Sequence, residues 1–168
     1  MLYDKRYEHI KDLGKGSFGK VFLAKEKTSN RLVAIKQLIN ISKDEQEDMI
    51  HEIEIVSKFQ SPNIVTYYHN FWQNEQLFLV MEYCAGGSLR NKMHDQVCSK
   101  SEVFNWITSL TECLNLVHKK DIIHHDIKPD NILFSKSGVI KMSDFGIANT
   151  GGGTRAYMSP EALAWDEN

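Results

Sequence analysis

The run Gly14-Lys15-Gly16-Ser17-Phe18-Gly19 lies between two segments that both read as strand, and this placement restricts the fold more than any other feature. Tyr7 to Leu13 leads into it, and Lys20-Val21-Phe22-Leu23-Ala24 leads out. Glycine has no Cβ, so such a run lets the backbone come close to a neighbour or a ligand. By itself G-x-G-x-x-G is a weak signal, since any glycine-rich turn can carry it. In a doubly wound dinucleotide fold the run opens a helix. Here a strand follows, which predicts a hairpin folded over phosphates, with its N–H groups exposed to them.

The rest of the first half continues in the same manner. Leu32 to Ile35 is another short strand, reached through the polar turn Lys27-Thr28-Ser29-Asn30. A helix is predicted from about Ser42 to Phe59. Ser42 and Glu45 have capping-box spacing, and Met49, Ile50, Ile53, Val56 and Phe59 or Gln60 recur at helical period. Ser61-Pro62-Asn63 stops it. Ile64 to Trp72 and Leu77 to Met81 flank Gln73-Asn74-Glu75-Gln76 as a hairpin. After Gly86-Gly87 the pattern changes. Ser99 and Glu102 form a second capping box, and Val103, Phe104, Ile107, Leu110, Leu114 and Val117 make the clearest helical stripe. A small hairpin, Ile132 to Phe134 with Val139 to Met142, turns at Lys136-Ser137-Gly138. The chain therefore reads as two-lobed α+β, a sheet with one helix followed by a mostly helical part. The break falls near Ala85 to Ser88, and a cleft between lobes is a natural nucleotide site.

Bulk properties exclude several classes. A net charge of −2 argues against nucleic-acid or membrane-surface binding by bulk electrostatics. Cys84, Cys98 and Cys113 are odd in number and lack paired zinc spacing, so they read as reduced thiols. No apolar stretch follows Met1 and no run reaches membrane-spanning length, which predicts a soluble intracellular protein, cytoplasmic or nuclear.

The chemistry concentrates in His124-His125-Asp126-Ile127-Lys128-Pro129-Asp130-Asn131 and in Asp144-Phe145-Gly146. A positioned Asp can take the proton of an attacking hydroxyl, and an Asn with a second Asp can hold magnesium against phosphates. A competing reading makes His124, His125 and Asp126 a metal cluster, but adjacent residues of an extended segment point apart. Further upstream, Val33-Ala34-Ile35-Lys36 ends a strand in a lysine, and His51-Glu52-Ile53 puts a carboxylate on the first helix.

Taken in order, these motifs closely resemble the glycine loop, strand lysine, interlobe linker, catalytic loop and metal loop of eukaryotic-type protein kinases. The resemblance covers residues 7–168, with an N-lobe of about 7–84 and the start of a C-lobe at about 85–168. It implies that ATP is held by Gly14, Lys15, Gly16, Ser17, Phe18 and Gly19, by Val21, Ala34 and Leu133 around adenine, and by the backbone of Glu82 and Cys84. Met81 would lie at the back of the pocket and Ser88 near the ribose. Lys36 would hold the α- and β-phosphates, oriented by Glu52, with Glu54 as the other candidate. Asp126 would be the base or orienter, Lys128 would steady the transferred phosphoryl group, and Asn131 and Asp144 would bind Mg2+. Val56, Tyr67, His124 and Phe145 would stack as a regulatory spine.

Lys128 together with Gly153-Thr154-Arg155-Ala156-Tyr157-Met158-Ser159-Pro160-Glu161 is similar to serine/threonine kinases, with Thr154 touching Asp126 and Lys128. Motif order is similar to the NIMA-related and calcium/calmodulin-type groups. The resemblance thus implies a protein substrate with a Ser or Thr acceptor, and Asp130 suggests a basic residue near it. A catalytically silent nucleotide-binding or scaffolding module is the other class. Oligomeric state has no signal.

Three departures from the family pattern stand out. The Arg expected after His124 is His125. The activation segment Ile147-Ala148-Asn149-Thr150-Gly151-Gly152 is short and glycine-rich. The family's later helices do not follow Glu161, so the stripe from Val103 to Val117 is expected to leave apolar surface exposed. An imidazole is a weaker and pH-dependent partner for a phosphate than a guanidinium. Activity should therefore depend little on activation-loop phosphorylation. Thr150→Ala is expected to leave turnover nearly unchanged in a phosphate-transfer assay, and a large loss would sink the idea.

Overall fold

β1 (Tyr7–Gly16) and β2 (Gly19–Glu26) form the predicted hairpin, antiparallel from Tyr7 opposite Glu26 to Gly16 opposite Gly19. The computed structural model describes residues 5–16, 19–39, 42–59, 61–95, 97–145, 154–161 and 163, with the backbone alone at Glu52. β1 continues three residues past Leu13 because Gly14, Lys15 and Gly16 pair with Val21, Lys20 and Gly19. Register shifts near Ile10 and Leu13 let both residues stay exposed on an edge strand.

The chain divides into two compact units, Met1–Gln46 with Thr66–Tyr83, and Glu47–Val65 with Cys84–Asn168. In the first, β1 and β2 join β3 (Leu32–Leu38), β4 (Tyr67–Gln73) and β5 (Gln76–Glu82) in a sheet of order β1-β2-β3-β5-β4. All its neighbours pair antiparallel. One face carries the core of Tyr7, Phe22, Ala24, Val33, Ile35, Phe78 and Val80. The rings of Phe71 and Phe78 stack at 5.0 Å against its margin. The other face is described with the candidate site.

α1 (Lys43–Ser57) starts at the predicted box, in which Ser42 N–H donates to Glu45 Oε2 at 2.8 Å and Glu45 N–H to Ser42 Oγ at 3.3 Å. It ends two residues before Phe59. There Lys58 and Phe59 donate to Ile55 and Val56, three residues back, tightening the last turn.

The second unit holds α2 (Leu89–Asp95), α3 (Lys100–His118) and the small hairpin β6 (Ile132–Phe134) with β7 (Ile140–Met142). Its core gathers Val56, Ile64, Cys113, Val117, Ile122, Ile132, Phe134, Ile140, Met142 and Phe145. The apolar run from Ile64 to Trp72 is not one strand. Met142 N–H donates to Asn63 O and Val65 N–H to Met142 O, so its first residues pair with β7 instead of β5. Burial pushes the Cys113 thiol up to about 11, and all three cysteines are free thiols. α2 was not expected, because none of its residues is buried and so it shows no stripe. No helix among the described residues is long and apolar enough to cross a membrane.

α3 carries the full capping box at Ser99 and Glu102. Its stripe divides. Cys113 and Val117 are buried and Leu110 and Leu114 pack on the core, whereas Phe104 and Ile107 are 70% and 59% exposed. The α+β class and the helix-borne apolar surface both agree with the sequence reading.

Two glycines are fixed by space. Gly19 has φ +153°, and a Cβ there would lie 1.9 Å from Gln37 O across the β2–β3 pairing. At Gly86 a Cβ would meet Phe134 and Ser135 at 2.7–2.8 Å. At Gly14 a Cβ would meet nothing within 4 Å among the described residues. Gly19→Ala is expected to lower unfolding free energy by about 1–3 kcal/mol, the usual cost of overpacking. Gly14→Ala should stay within about 0.5 kcal/mol of the parent, as exposed substitutions do. Denaturant melts giving equal losses at both positions would contradict this account.

Candidate active site

His124 is almost fully buried, and both ring nitrogens are engaged. Nε2–H donates to Ser143 O at 2.8 Å, and Nδ1 accepts from the Asp126 N–H at 3.3 Å, which fixes the tautomer. Its ring packs on Phe145 at 4.6 Å, as the sequence reading expected. Burial first, against weaker opposing interactions, pushes the His124 pKa below the usual imidazole range. With both nitrogens committed it is no metal ligand. Among the described residues no three His, Cys, Asp or Glu side chains gather as a metal centre.

The chain then turns sharply. His125 has φ +61°, and the Asp126 N–H reaches back to His124 O at 2.9 Å. A left-handed non-glycine residue costs roughly 1–2 kcal/mol, so the turn persists because its surroundings hold it.

What holds it is the Asp126 carboxylate. Oδ1 accepts from Thr154 N–H at 3.1 Å and from Thr154 Oγ1–H at 2.9 Å. Oδ2 accepts from Asn131 Nδ2 at 2.8 Å and from Lys128 Nζ at 2.6 Å. Lys128 also donates to Thr154 Oγ1 at 2.6 Å, so Thr154 touches both residues as the resemblance implied. Burial alone would raise the Asp126 pKa. The bonds from Lys128, Thr154 and Asn131 together outweigh it and pull the pKa below the usual carboxylate range. Asn131 Nδ2 also donates to Asp126 O at 2.8 Å. That commits the amide nitrogen inward and leaves the side-chain oxygen as what Asn131 can offer a cation, a donor suited to a hard ion such as Mg2+. Ser143 closes the group, its N–H and Oγ–H both donating to Asn131 O at 2.9 Å. Asp144 follows with φ +63°.

Leu133 lies on β6 and bridges to Ser88. The Ser88 hydroxyl is engaged with Asn91 Oδ1 at 2.5 Å as the cap of α2, which is a structural use the sequence reading did not assign. Arg90 and Tyr157 were missed as well. The Arg90 guanidinium meets Asp130 and, at 2.6 Å, Tyr157 Oη. Contacts 40 and 67 residues apart leave no periodic signal to find them by.

In the first unit the register places Val21 opposite Lys36 and Ala34 opposite Met81. Directly opposed residues project to one side of a sheet, and Lys36 also opposes Leu79, so these side chains share a face. Lys36 is buried there. Gly14, Lys15, Gly16 and Gly19 form the closed end of the β1–β2 hairpin. At the far end of β5, Glu82 N–H donates to Thr66 O at 2.8 Å, and Cys84 O accepts from Gly87 N–H at 3.3 Å. Tyr67 Oη accepts from Asn70 Nδ2 at 2.7 Å. Ser17, Phe18, Gly146, the segment 147–153 with Thr150, and the side chain of Glu52 lie outside the described residues.

The second unit thus holds a buried carboxylate bonded by a lysine, an asparagine and a threonine, and the first unit holds a buried lysine on a sheet that ends in a glycine hairpin. The family model for the protein kinase domain matches residues 7–168, and the chain belongs to the protein kinase family. It is similar to serine/threonine-protein kinase Nek5 of Homo sapiens, 38% identical over 93% of this chain and 24% of that protein. Similarity to serine/threonine-protein kinase Nek1 of Mus musculus is 34% over 94% of this chain and 14% of that protein. Aurora/IPL1-related protein kinase 2 of Caenorhabditis briggsae is 35% identical over 94% of this chain and 56% of its own length. The chain thus spans about a quarter or less of the Nek proteins, and the NIMA-related likeness fits the motif order.

The unfolded chain takes a proton on histidine near pH 6.5, whereas the folded chain resists charging His124. Below that pH the unfolded state binds more protons, so stability falls as pH falls. Urea midpoints of the parent are expected to be flat above pH 7 and to drop toward pH 5. A His124→Phe variant should show a shallower drop, and an unchanged slope would refute the assignment.

Proposed function

We propose that this chain is the catalytic portion of a protein serine/threonine kinase, transferring the γ-phosphoryl group of Mg-ATP to a Ser or Thr hydroxyl of a protein. The observation that carries the proposal is the Asp126 carboxylate, held from both oxygens by Lys128, Asn131 and Thr154. In this reading residues 7–84 form the nucleotide-covering lobe and residues from 85 onward the start of the substrate lobe.

Asp126, ionised at neutral pH, orients the acceptor hydroxyl and receives its proton as the oxygen attacks phosphorus and the bond to the β–γ bridging oxygen breaks. With its pKa depressed, Asp126 works chiefly by orientation, and it takes the proton only once attack has made the hydroxyl strongly acidic. Thr154 Oγ1 already donates to Asp126 Oδ1 and accepts from Lys128, so it marks a place where a hydroxyl is accepted. Lys128 lends positive charge to the group in flight. Lys36, with Glu52 to orient it, secures the α- and β-phosphates, while Val21, Ala34 and Leu133 enclose adenine. The backbone N–H groups of Gly14 to Gly19 cover the phosphates, and the backbone of Glu82 and Cys84 meets the adenine edge. Asn131 and Asp144 would hold Mg2+, which when bound neutralises charge on the phosphate oxygens.

The test is phosphate transfer from ATP to a generic protein substrate by the full chain and by Asp144→Asn. The variant should be slower by about a hundredfold or more, as when one transition-state stabiliser is removed. Mg-ATP at a hundred times its Kd should also raise stability by about 2.7 kcal/mol. A thermal shift with equal, negligible rates would favour a nucleotide-binding or scaffolding module.

A further inference from the structure

Arg90, in the first turn of α2, holds two other segments with one guanidinium. Nε and Nη2 donate to Asp130 Oδ2 at 3.3 and 3.2 Å, and Nη2 also donates to Tyr157 Oη at 2.6 Å. The backbone adds a bond from Arg90 N–H to Pro129 O at 3.1 Å. Asp130 lies in the loop that runs from Asp126 to Asn131. Tyr157 closes the 3₁₀ turn Arg155–Tyr157, whose cap is Thr154. The cluster is on the surface, since the side chains of Arg90 and Asp130 are each 50% exposed and Tyr157 is 45% exposed.

We propose that Arg90 is a specificity-determining residue: it occupies Asp130, so the surface beside the acceptor site takes acidic rather than basic peptide residues. The inference rests on the kinase reading for where the peptide lies. An acceptor hydroxyl must reach Asp126, which Thr154 touches. From Thr154, three residues of 3₁₀ turn advance about 6 Å to Tyr157. An extended peptide covers roughly 3.3 Å per residue. The cluster therefore faces the peptide about two to three residues from its Ser or Thr.

From sequence, Asp130 alone suggests a basic residue there. The bonds from Arg90 to Asp130 support the opposite preference. An incoming Lys or Arg would have to displace a guanidinium that is already tethered, anchored by a second acceptor at Tyr157, and that loses no translational freedom in binding. Arg90 Nη1, by contrast, has no hydrogen-bond partner among the described residues. Its two N–H donors can meet a carboxylate, for which a planar guanidinium is well matched.

The test uses the full chain and two serine peptides, identical except for Glu or Arg two and three residues to each side of the serine. Binding is read by fluorescence anisotropy, and phosphate transfer from ATP is read separately. The parent should bind the Glu peptide more tightly by about three- to fivefold, the size an exposed ion pair supplies. Arg90→Met, which keeps the aliphatic stem, should reverse the order in favour of the Arg peptide. Adding Asp130→Asn to it should remove that gain. A preference unchanged by Arg90→Met, a parent that prefers the Arg peptide, or no binding of either peptide would each overturn the proposal. A reversal of binding without any phosphate transfer would support Arg90 as the selector while removing the kinase reading. Transfer without reversal would do the opposite.

Discussion

The fold of the second unit depends on one buried carboxylate that receives four hydrogen bonds. Hydrogen bonds to charged groups contribute roughly 1.5–3 kcal/mol each, against about 1–2 kcal/mol for the left-handed backbone at His125. The bonds win, and the turn that aims Asp126 is therefore held by its own product. Lys128 and Asn131 come from the same loop, so they shape it. Thr154 comes from 28 residues downstream and joins a separate segment to it through both its backbone and its hydroxyl. Loss of the carboxylate would leave the Lys128 ammonium and several donors in a poorly hydrated place, where unmet groups are expensive.

Around this centre, the imidazole of His124 ties the loop that carries Asp126 to the segment that carries Asp144. Its Nε2–H anchors Ser143, next to Asp144, and its Nδ1 braces the Asp126 N–H. The segments bearing Asp126 and Asp144 are thereby registered to one another through a single neutral ring. Because that ring is buried against Phe145, charge on it is unwelcome, and the arrangement is suited to neutral pH.

Much of this was readable beforehand wherever the signal was local. Ser42 with Glu45 and Ser99 with Glu102 announce helix starts within four residues, and both boxes form. The glycine run and the strand after it defined the first hairpin. Legibility failed where the cause is distant or the pattern absent. Ile64 and Val65 look like the start of β4, yet β7 competes for them from nearly 80 residues away. α2 buries no residue, so period alone cannot find it, and its Ser88–Asn91 cap gives no hydropathy signal either. The Arg90 cluster joins three segments through exposed polar groups, a kind of contact that leaves no hydropathy trace.

The three glycines of the opening motif turn out to be there for different reasons. At Gly14 and Gly16 no atom of the described residues stands within 4 Å of where a Cβ would lie, so packing within the described chain does not require glycine there. At Gly19 the space is already filled by the carbonyl of Gln37, so what glycine preserves is a joint within the chain itself. A motif written with one repeated letter thus encodes unequal demands. A sequence drifting at its first two glycines would keep this architecture, whereas one drifting at the third would strain the seam between its second and third strands.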